Sequence, residues 1–431
     1  MTRERGSWRA LGMVRIAGLL AASVGAIGVA RTAVADGEGP SFERPRLQVA
    51  TEDGQSSFRL RLAAQFRWDG TSVDKGDEAD RDWQDKIYFR RLRLVFEGSA
   101  ITEDLTYRLH LNLVPGLLEL DDMWINYKFH DQARLLFGQN KIPFTRYRID
   151  SFLDLPLTEW GYETPYFGAE RQIGLTLHNG MDRPPEFEYE FGIYTGVNAR
   201  ASNGIGMSKV FAETPPNPSL LTNPAPPSSF HPELVAHLAY NYGGIDVRKP
   251  SDLEGGPFRF SVGVSAAWDA QPDPRLDFAM RLAPEVLIKV GGFHALGVFY
   301  LGFWEQSTGD EAMALGMFGG VAQMSYVFLD MYEVSLRYST VSILDDLRSD
   351  ARAWADQRIA AETDPDEQAA LVKQYKDTGL LMAEHEILVG FNVYLLGTTL
   401  KLQIDGGVRI HERTDEDRQD GLVRTQIQLA F

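Results

Sequence analysis

The sequence contains no cysteine in its 431 residues, which excludes a disulfide framework, a thiolate metal site and a cysteine nucleophile. It also leaves no cysteine to carry a bacterial lipoprotein anchor. Positive charge is in deficit as well, because 43 Lys and Arg residues face 60 Asp and Glu residues and the formal net charge is −17. General nucleic-acid binders carry the opposite excess. We therefore expect no nucleic-acid partner.

Catalytic motifs are also lacking. The sequence has neither an H-E-x-x-H nor a G-x-S-x-G motif, and the pair His385-Glu386 lacks the second histidine that a zinc site of this type needs. The eight histidines are scattered along the chain. We therefore expect neither an enzyme nor a cofactor nor a metal site, with an outer-membrane hydrolase as a minor alternative.

Long apolar runs are scarce, and the clearest one lies at the N-terminus. Residues 16–30 are apolar and small, they follow several arginines, and Ala33-Val34-Ala35 fits the small-x-small rule for cleavage. This pattern predicts that residues 1–35 are a signal peptide cleaved near Ala35. A membrane-anchoring helix is the alternative, but the run is shorter than the roughly 20 residues that span a bilayer. Residues 36–56 would form a short periplasmic segment.

The mature sequence does have alternation of apolar and polar residues at period two. Phe58, Phe66 and Trp68 share one face of a segment whose other face carries Arg59 and Arg67. Such segments are about ten residues long, the length of a tilted membrane-spanning strand. An exported chain without a second apolar helix is either soluble or a β-barrel, and this alternation favours the barrel.

Sixteen such segments can be counted, so the sequence predicts an all-β, antiparallel, transmembrane barrel of 16 strands over residues 57–431. Connections after odd-numbered segments include long or acidic stretches, whereas those after even-numbered segments are mostly short, as in outer-membrane barrels. The turn at 243–256 is an exception. The segments start near residues 57, 86, 104, 119, 132, 171, 186, 233, 257, 276, 293, 314, 331, 385, 398 and 422.

Two connections and the C-terminus add detail. Phe431 ends an alternating strand, as in outer-membrane proteins recognised for insertion. The loop 341–384 contains a helix-like stretch with a break at Asp364-Pro365, so we expect a helical insertion in an external loop. A partner of a structural or adhesive barrel could bind there, although a solvated loop is the simpler interpretation.

Several segments resemble the phosphate-selective porin O and P family in the order in which that family has them. The most specific is the Gly-Gln-x-Lys-x-Pro-Phe element, which reads GQNKIPF at 138–144. The arginine-rich strand FRRLRLVFEG at 89–98 is similar to the family's second strand. The other matching segments are 53–69, 120–129, 170–180, 332–342, 386–407 and 425–431.

The resemblance implies a sixteen-stranded, anion-preferring porin in the bacterial outer membrane, assembled as a homotrimer and in contact with lipid and lipopolysaccharide. It also implies that the third external loop, here about 141–170, folds into the pore and narrows it. Tyr147 and Tyr166 are expected to contribute to that constriction. The partners would be small anionic solutes, including phosphate or polyphosphate.

Arginine suits an oxyanion pathway because its planar fork donates to phosphate-like oxygens and stays charged. We expect the solute to pass between several weak sites, since one tight site would trap it. The candidate anion-pathway residues are Arg59, Arg61, Arg67, Arg91, Arg93, Arg108, Lys141, Arg146, Arg148 and Arg171. Arg90 would face lipid unless a bulge intervenes.

Alternatives to an anion porin remain open. Arginines also occur in unselective polar pores, where they pair across strands with acidic residues such as Glu97, Asp121, Asp122, Glu188 and Glu190. Acidic residues clustered near 74–85 and 412–420 would repel anions approaching the mouth. A general or sugar-permeable porin is therefore the alternative function, and a structural or adhesive barrel is a less favoured one.

Overall fold

The structure is a computed structural model that describes residues 47–75, 81–114, 117–167, 171–181, 183–195, 232–270, 278–308, 311–344, 356–357, 359–372, 381–413 and 417–431. The predicted signal peptide lies outside the described residues, as do residues 36–46 of the predicted periplasmic segment. The remaining part of that segment includes a short strand, β1 (Leu47–Ala50).

Sixteen antiparallel strands close into a barrel, which confirms the predicted fold class and strand number. The ring closes because β2 pairs with both β3 and β17, and β9 pairs with both β8 and β10. The strands of the ring are β2 (Ser57–Asp74), β3 (Arg81–Ala100), β4 (Thr102–Val114), β5 (Leu117–His130), β6 (Ala133–Lys141), β7 (Arg171–His178), β8 (Phe187–Tyr194), β9 (Glu233–Tyr242), β10 (Arg259–Asp269), β11 (Phe278–Val290), β12 (Phe293–Thr308), β13 (Glu311–Phe328), β14 (Tyr332–Ile343), β15 (Leu381–Leu396), β16 (Leu400–Arg413) and β17 (Arg418–Ala430).

The extra strand β1 extends the seam between the two ends of the ring. β17 pairs with β2 as far as Ala430 opposite Ala63, and Phe431 then exchanges two backbone hydrogen bonds with Leu62. β1 continues along the same strand, with Leu47 opposite Leu60 and Ala50 opposite Ser57. β17 and β1 therefore lie on the same edge of β2, and β1 pairs with the first residues of that strand, which β17 does not reach.

Most strands alternate between an apolar outer face and a polar inner face, and the inner faces of β11 and β12 are largely apolar where they are packed over. On β2, Phe66 is 44% exposed whereas its neighbours Gln65 and Arg67 are 0% and 2% exposed. This inverts the usual arrangement of a soluble protein and suits a barrel whose outside contacts lipid. Among the described residues, no helix is long and apolar enough to cross a membrane.

Strands on the side of the long connections extend further than the sequence predicted. β3 begins at Arg81 rather than near 86, and β13 begins at Glu311 rather than near 314. The acidic residues near the start of β3 predict a loop. The strand nevertheless continues through them, because backbone pairing does not require apolar side chains. Asp74 lies opposite Arg81 in the ladder, and their side chains form an ion pair at 3.7 Å.

We call the two ends of the barrel the turn end and the loop end. The turn end holds β1 and the connections after the odd-numbered strands β3 to β15, most of which are two or three residues long. The loop end holds the connections after the even-numbered strands. The connection after β7, at 179–186, is longer, and the longest at this end is 243–258, which we call the inner turn.

Within the part of the chain that the structure describes, helices with defined bounds at the loop end include α1 (Arg146–Ile149), α2 (Thr164–Phe167) and α3 (Pro365–Val372). α3 begins where the sequence pattern has its break. The carboxylate of Asp364 accepts the backbone N–H groups of Asp366 and Glu367, and proline occupies the first helical position.

Candidate functional site in the barrel lumen

Residues 142–167, which we call the inward loop, lie inside the barrel. The carbonyl oxygen of Leu155 accepts hydrogen bonds from Lys401 Nζ at 2.9 Å and Gln403 Nε2 at 3.0 Å. The backbone N–H of Thr158 donates to Asp405 Oδ2 at 2.7 Å. Polar side chains of β16 thus satisfy backbone groups that an irregular segment leaves without partners, which fixes the loop across the lumen.

Apolar contacts hold both ends of the inward loop against another part of the wall. Phe144 and Phe167, each 0% exposed, contact the ring of Tyr300, with Phe167 stacked at 5.1 Å. The Tyr147 hydroxyl accepts the backbone N–H of Gly161 at 2.6 Å, which ties the two arms of the loop together. These contacts fill the lumen in front of β10–β15.

The inner turn fills the same side of the lumen from the turn end. Val247 is 1% exposed, and Arg248 reaches Glu190 of β8 at 3.2 Å. Lys289 of β11 donates to the carbonyl oxygen of Asp246 at 2.7 Å. A long connection at the end where most others are short therefore has a structural role, since it packs into the barrel.

The most exposed inner-face arginines consequently lie on one side of the lumen. Many inner-face side chains of β8–β15 are almost completely buried, including Glu188, Glu190, Glu233, His237, Ser265, His294, Glu333, Arg337 and Ser339. On β2 the side chains of Arg59 and Arg61 are 38% and 37% exposed. We call the inner faces of β2–β5 the open wall.

Three predicted residues of the open wall meet at one carboxylate. Arg59, Arg61 and Arg108 all contact Glu97, with Arg61 at 2.9 Å and Arg108 at 3.0 Å. Glu97 is 8% exposed, whereas each arginine is at least 24% exposed. The carboxylate therefore lies beneath guanidinium groups that face the solvent in the lumen.

A second cluster surrounds Glu159 of the inward loop. Arg67 and Arg91 contact its two carboxylate oxygens at 2.6 and 2.7 Å, and Arg90 binds it through Nε. Arg67 also donates to the carbonyl oxygen of Thr158 at 2.7 Å. Burial alone would raise the pKa of Glu159, but Arg91, Arg90 and Arg67 together hold it well below the ordinary value. This cluster joins the inward loop to the open wall.

Arg90 reaches the lumen because β3 contains a bulge. Gln65 pairs with Arg91 and Phe66 pairs with Phe89, so Arg90 is an extra residue without a partner in the ladder. Strict alternation places Arg90 on the outer face, so Arg90 is not among the predicted anion-pathway residues. Two adjacent arginines in an alternating strand were the available signal.

A second bulge, in β5, turns two adjacent acidic residues inward. His110 pairs with Asp122 and Leu111 with Leu120, which leaves Asp121 as the extra residue. Arg93 contacts Asp121, and Arg171 Nε lies 2.5 Å from Asp122. These arginines are balanced by carboxylates. Among the described residues, no group of three or more His, Asp or Glu side chains is arranged to hold a metal ion.

The remaining predicted anion-pathway residues lie in two different places. Lys141 and Arg148 lie over the ring of Trp160, at 5.2 and 4.6 Å from its centroid. Arg146 does not join the open wall. It is 5% exposed and contacts Glu188 at 3.0 Å on the filled side, where it anchors the loop.

The expectation that Tyr147 and Tyr166 narrow the passage is wrong. They are 1% and 4% exposed and pack inside the loop structure. The half-buried rings of the inward loop belong to Phe152, Trp160 and Tyr162. Sequence spacing cannot distinguish these aromatic residues, because the loop is irregular and its buried face follows from tertiary contacts.

Comparisons with known proteins agree with this geometry. Residues 60–215 match the model of the family named phosphate-selective porin O and P. The resemblance that the sequence motifs indicated is thereby confirmed. A search of curated proteins returns no match.

Solved porins and channels share the fold at low sequence identity. The outer membrane channel DcaP of Acinetobacter baumannii aligns with a TM-score of 0.54 at 11% identity, covering 89% of this chain and 99% of its own. An anion-selective porin from Comamonas acidovorans gives 0.53 at 11%, covering 88% and 100%. Pseudomonas putida OprB gives 0.55 at 9%, covering 87% and 94%. Together with the family match, the fold supports an outer-membrane porin and points to a channel rather than an enzyme.

Proposed function

We propose that this outer-membrane porin passes small anions, with phosphate among them, along the open wall. The observation that carries the proposal is the ratio of charges there. In the clusters at Glu97 and Glu159, six guanidinium groups face those two carboxylates and Asp69, which lies 3.9 Å from Arg67. The excess is positive although the whole chain is acidic.

Exposure reinforces this excess. Arg59, Arg61 and Arg90 are 37–38% exposed, whereas Glu97 is 8% and Glu159 is 19% exposed. A solute in the lumen therefore meets guanidinium groups before it meets carboxylates. Since each arginine is also held by a carboxylate, a passing anion competes for donors that are already engaged. Such binding is weak and repeated, which is what permeation needs.

The inward loop would act as the constriction. It crosses the lumen and contacts the open wall at the Glu159 cluster, where Arg67 and Arg91 are buried, so the passage would run beside the exposed Arg90, Arg59 and Arg61. In this arrangement the loop end faces the exterior and the turn end faces the periplasm, as the long and short connections of outer-membrane barrels do. We further propose that the signal peptide is removed near Ala35 and that the porin assembles as a homotrimer. Light scattering of the detergent-solubilised protein measures that assembly.

The test is the reversal potential of the refolded protein in planar bilayers under a salt gradient, followed by titration of the chloride current with phosphate. We expect anion preference and a current that phosphate reduces. Cation preference, or no effect of phosphate, would instead favour a general or sugar-permeable porin, and no current at all would favour a structural barrel.

A pair of variants tests the arginines themselves. Arg59→Gln with Arg61→Gln leaves Glu97 paired with Arg108 and should lower the anion-to-cation permeability ratio several-fold. The control, Lys75→Gln with Arg81→Gln, removes the same charge from exposed residues at the loop end. It should change the ratio much less. Equal effects in the two variants would contradict a role for the open wall.

A further inference from the structure

The inward loop presents two aromatic rings to the open wall, at the Glu159 cluster. Several large apolar side chains of the loop, such as Leu155, Leu157 and Phe144, are 0–1% exposed. Phe152 and Trp160 are half-buried, as are Leu153 and Tyr162. Among these, Phe152 and Trp160 are the two that lie against arginines of the open wall.

Both rings lie against the same guanidinium group. The Arg91 guanidinium carbon is 5.1 Å from the centroid of Phe152 and 5.2 Å from that of Trp160. Arg91 is fixed there by Gln65 at 2.8 Å and Glu159 at 2.7 Å. Arg93 adds a second cation 5.9 Å from the Phe152 ring. Apolar faces and cations therefore alternate within one patch.

A donor for an anion stands next to this patch. Arg90 binds Glu159 through Nε, and among the described residues its two terminal nitrogens have no hydrogen-bond acceptor. Its side chain is 38% exposed. A planar guanidinium with two unengaged N–H-bearing nitrogens matches a carboxylate.

We propose that this patch is a binding site for organic carboxylates with a planar aromatic body, the benzoate class, within the anion pathway. The carboxylate would bind Arg90 while the ring packs on Phe152 and Trp160. Inorganic phosphate would accept hydrogen bonds from Arg90 but would gain no binding energy from the two rings. The rings would also displace some of the water that hydrates the phosphate. The site rests on the proposed function and names the solutes that such a porin binds best.

Aromatic pairing adds about two- to tenfold in affinity beyond the charge interaction. The first measurement is the concentration of benzoate, acetate, cyclohexanecarboxylate or phosphate that halves the chloride current. Benzoate should act at a concentration about two- to tenfold below that of acetate. It should also bind more tightly than cyclohexanecarboxylate, which is apolar but not aromatic. Equal values for benzoate and acetate, or tighter binding of phosphate, would overturn the site.

Variants assign the effect to the two rings. Phe152→Leu with Trp160→Leu keeps apolar side chains and should bring the benzoate-to-acetate ratio near one, weakening the block by benzoate more than the block by phosphate. Trp124→Leu is the matched control, because Trp124 also lies against an arginine, Arg108 at 5.0 Å, but away from the Glu159 cluster. It should leave the ratio unchanged. A ratio unaltered by the double variant would contradict the proposal.

The outcomes separate the two proposals. Loss of anion preference in the parent protein would overturn the proposed function. Anion preference with no advantage for benzoate would overturn only the site. Block by neutral benzyl alcohol as strong as that by benzoate would also overturn it, because the charge would then contribute nothing. The comparison of solutes on the parent protein decides the question even if the double variant does not fold.

Discussion

Phe167 lies over Gly319 so closely that a Cβ atom at position 319 would come within 2.5 Å of its ring. The ring has no room to retreat, because it is 0% exposed and stacked on Tyr300. The absence of a side chain on the inner face of β13 is therefore what lets the end of the inward loop reach the wall.

Gly319→Ala should displace that end of the loop. We expect a loss of about 1–3 kcal/mol in the free energy of unfolding, as for other overpacked interiors, and a changed single-channel conductance. Gly297→Ala is the control, since its added Cβ would meet its nearest atom at an ordinary 3.4 Å. Chemical unfolding of the refolded barrel measures the first quantity. A Gly319→Ala variant as stable as Gly297→Ala would contradict the close approach.

Deletion of Arg90 should be tolerated. The residues on either side of the bulge already pair as a regular ladder, so removal keeps Arg91 inside and Phe89 outside. Deletion of Phe299 from β12, whose ladder with β13 has no bulge, instead shifts one part of that strand by a residue and turns its side chains to the opposite face. We expect the first variant to refold and to lose anion preference, and the second not to refold. Heat-modifiable migration in gels measures refolding.

Glu159→Gln should destabilise the junction between the loop and the open wall. Three arginines would lose their shared carboxylate, and we expect a loss of about 3 kcal/mol in the free energy of unfolding. The exposed Glu254, 60% accessible, is the control residue, and Glu254→Gln should cost less than about 1 kcal/mol. Similar stability of the two variants would mean that the cluster does not hold the loop.

Stability of the inward loop should fall as the pH rises from about 4.5 to about 7 and then level off. Burial raises the pKa of Glu163 to about 7, against the opposing charge of Arg337, whereas its ordinary value is 4.5. The folded protein thus keeps a proton that the unfolded chain releases, and between these values each pH unit lowers the free energy of unfolding by about 1.4 kcal/mol. Glu163→Gln should remove this dependence. The difference between the unfolding midpoints at pH 5 and pH 8 measures this dependence. The same difference in the parent protein and in the variant would disprove the role of Glu163.

Much of the fold could be predicted because each strand of the barrel carries its own period-two signal. The predicted starts at 57, 171, 233 and 293 coincide with those of the structure. β1 was not predicted, since four residues are too few to show a period. The loop-end extension of β3 is not predicted because its polar side chains resemble those of a loop, and the three-residue extension of β13 is too short to show a period.

The candidate site was predictable only in part, for a physical reason. Alternation placed Arg59, Arg61 and Arg67 correctly on the inner face, but it has no means of indicating a bulge. Arg90 is therefore expected to face lipid unless a bulge intervenes, whereas Asp121 is correctly named as an acidic residue that pairs with an arginine across strands. Glu159 is in an irregular loop, so its three arginine contacts follow from the path of the backbone and not from sequence spacing.

The inner turn and the inward loop enter from opposite ends yet occupy the same half of the lumen. One half of the barrel is therefore a packed interior, subject to the volume constraints of any protein core, while the other half is a wet surface. Substitutions at the exposed Arg59 and Arg61 can change what passes without disturbing the junction that holds the inward loop, whereas Arg67 and Arg91 on the same wall belong to that junction. Solute preference can consequently diverge without loss of stability only from the part of the wall that the loop does not contact.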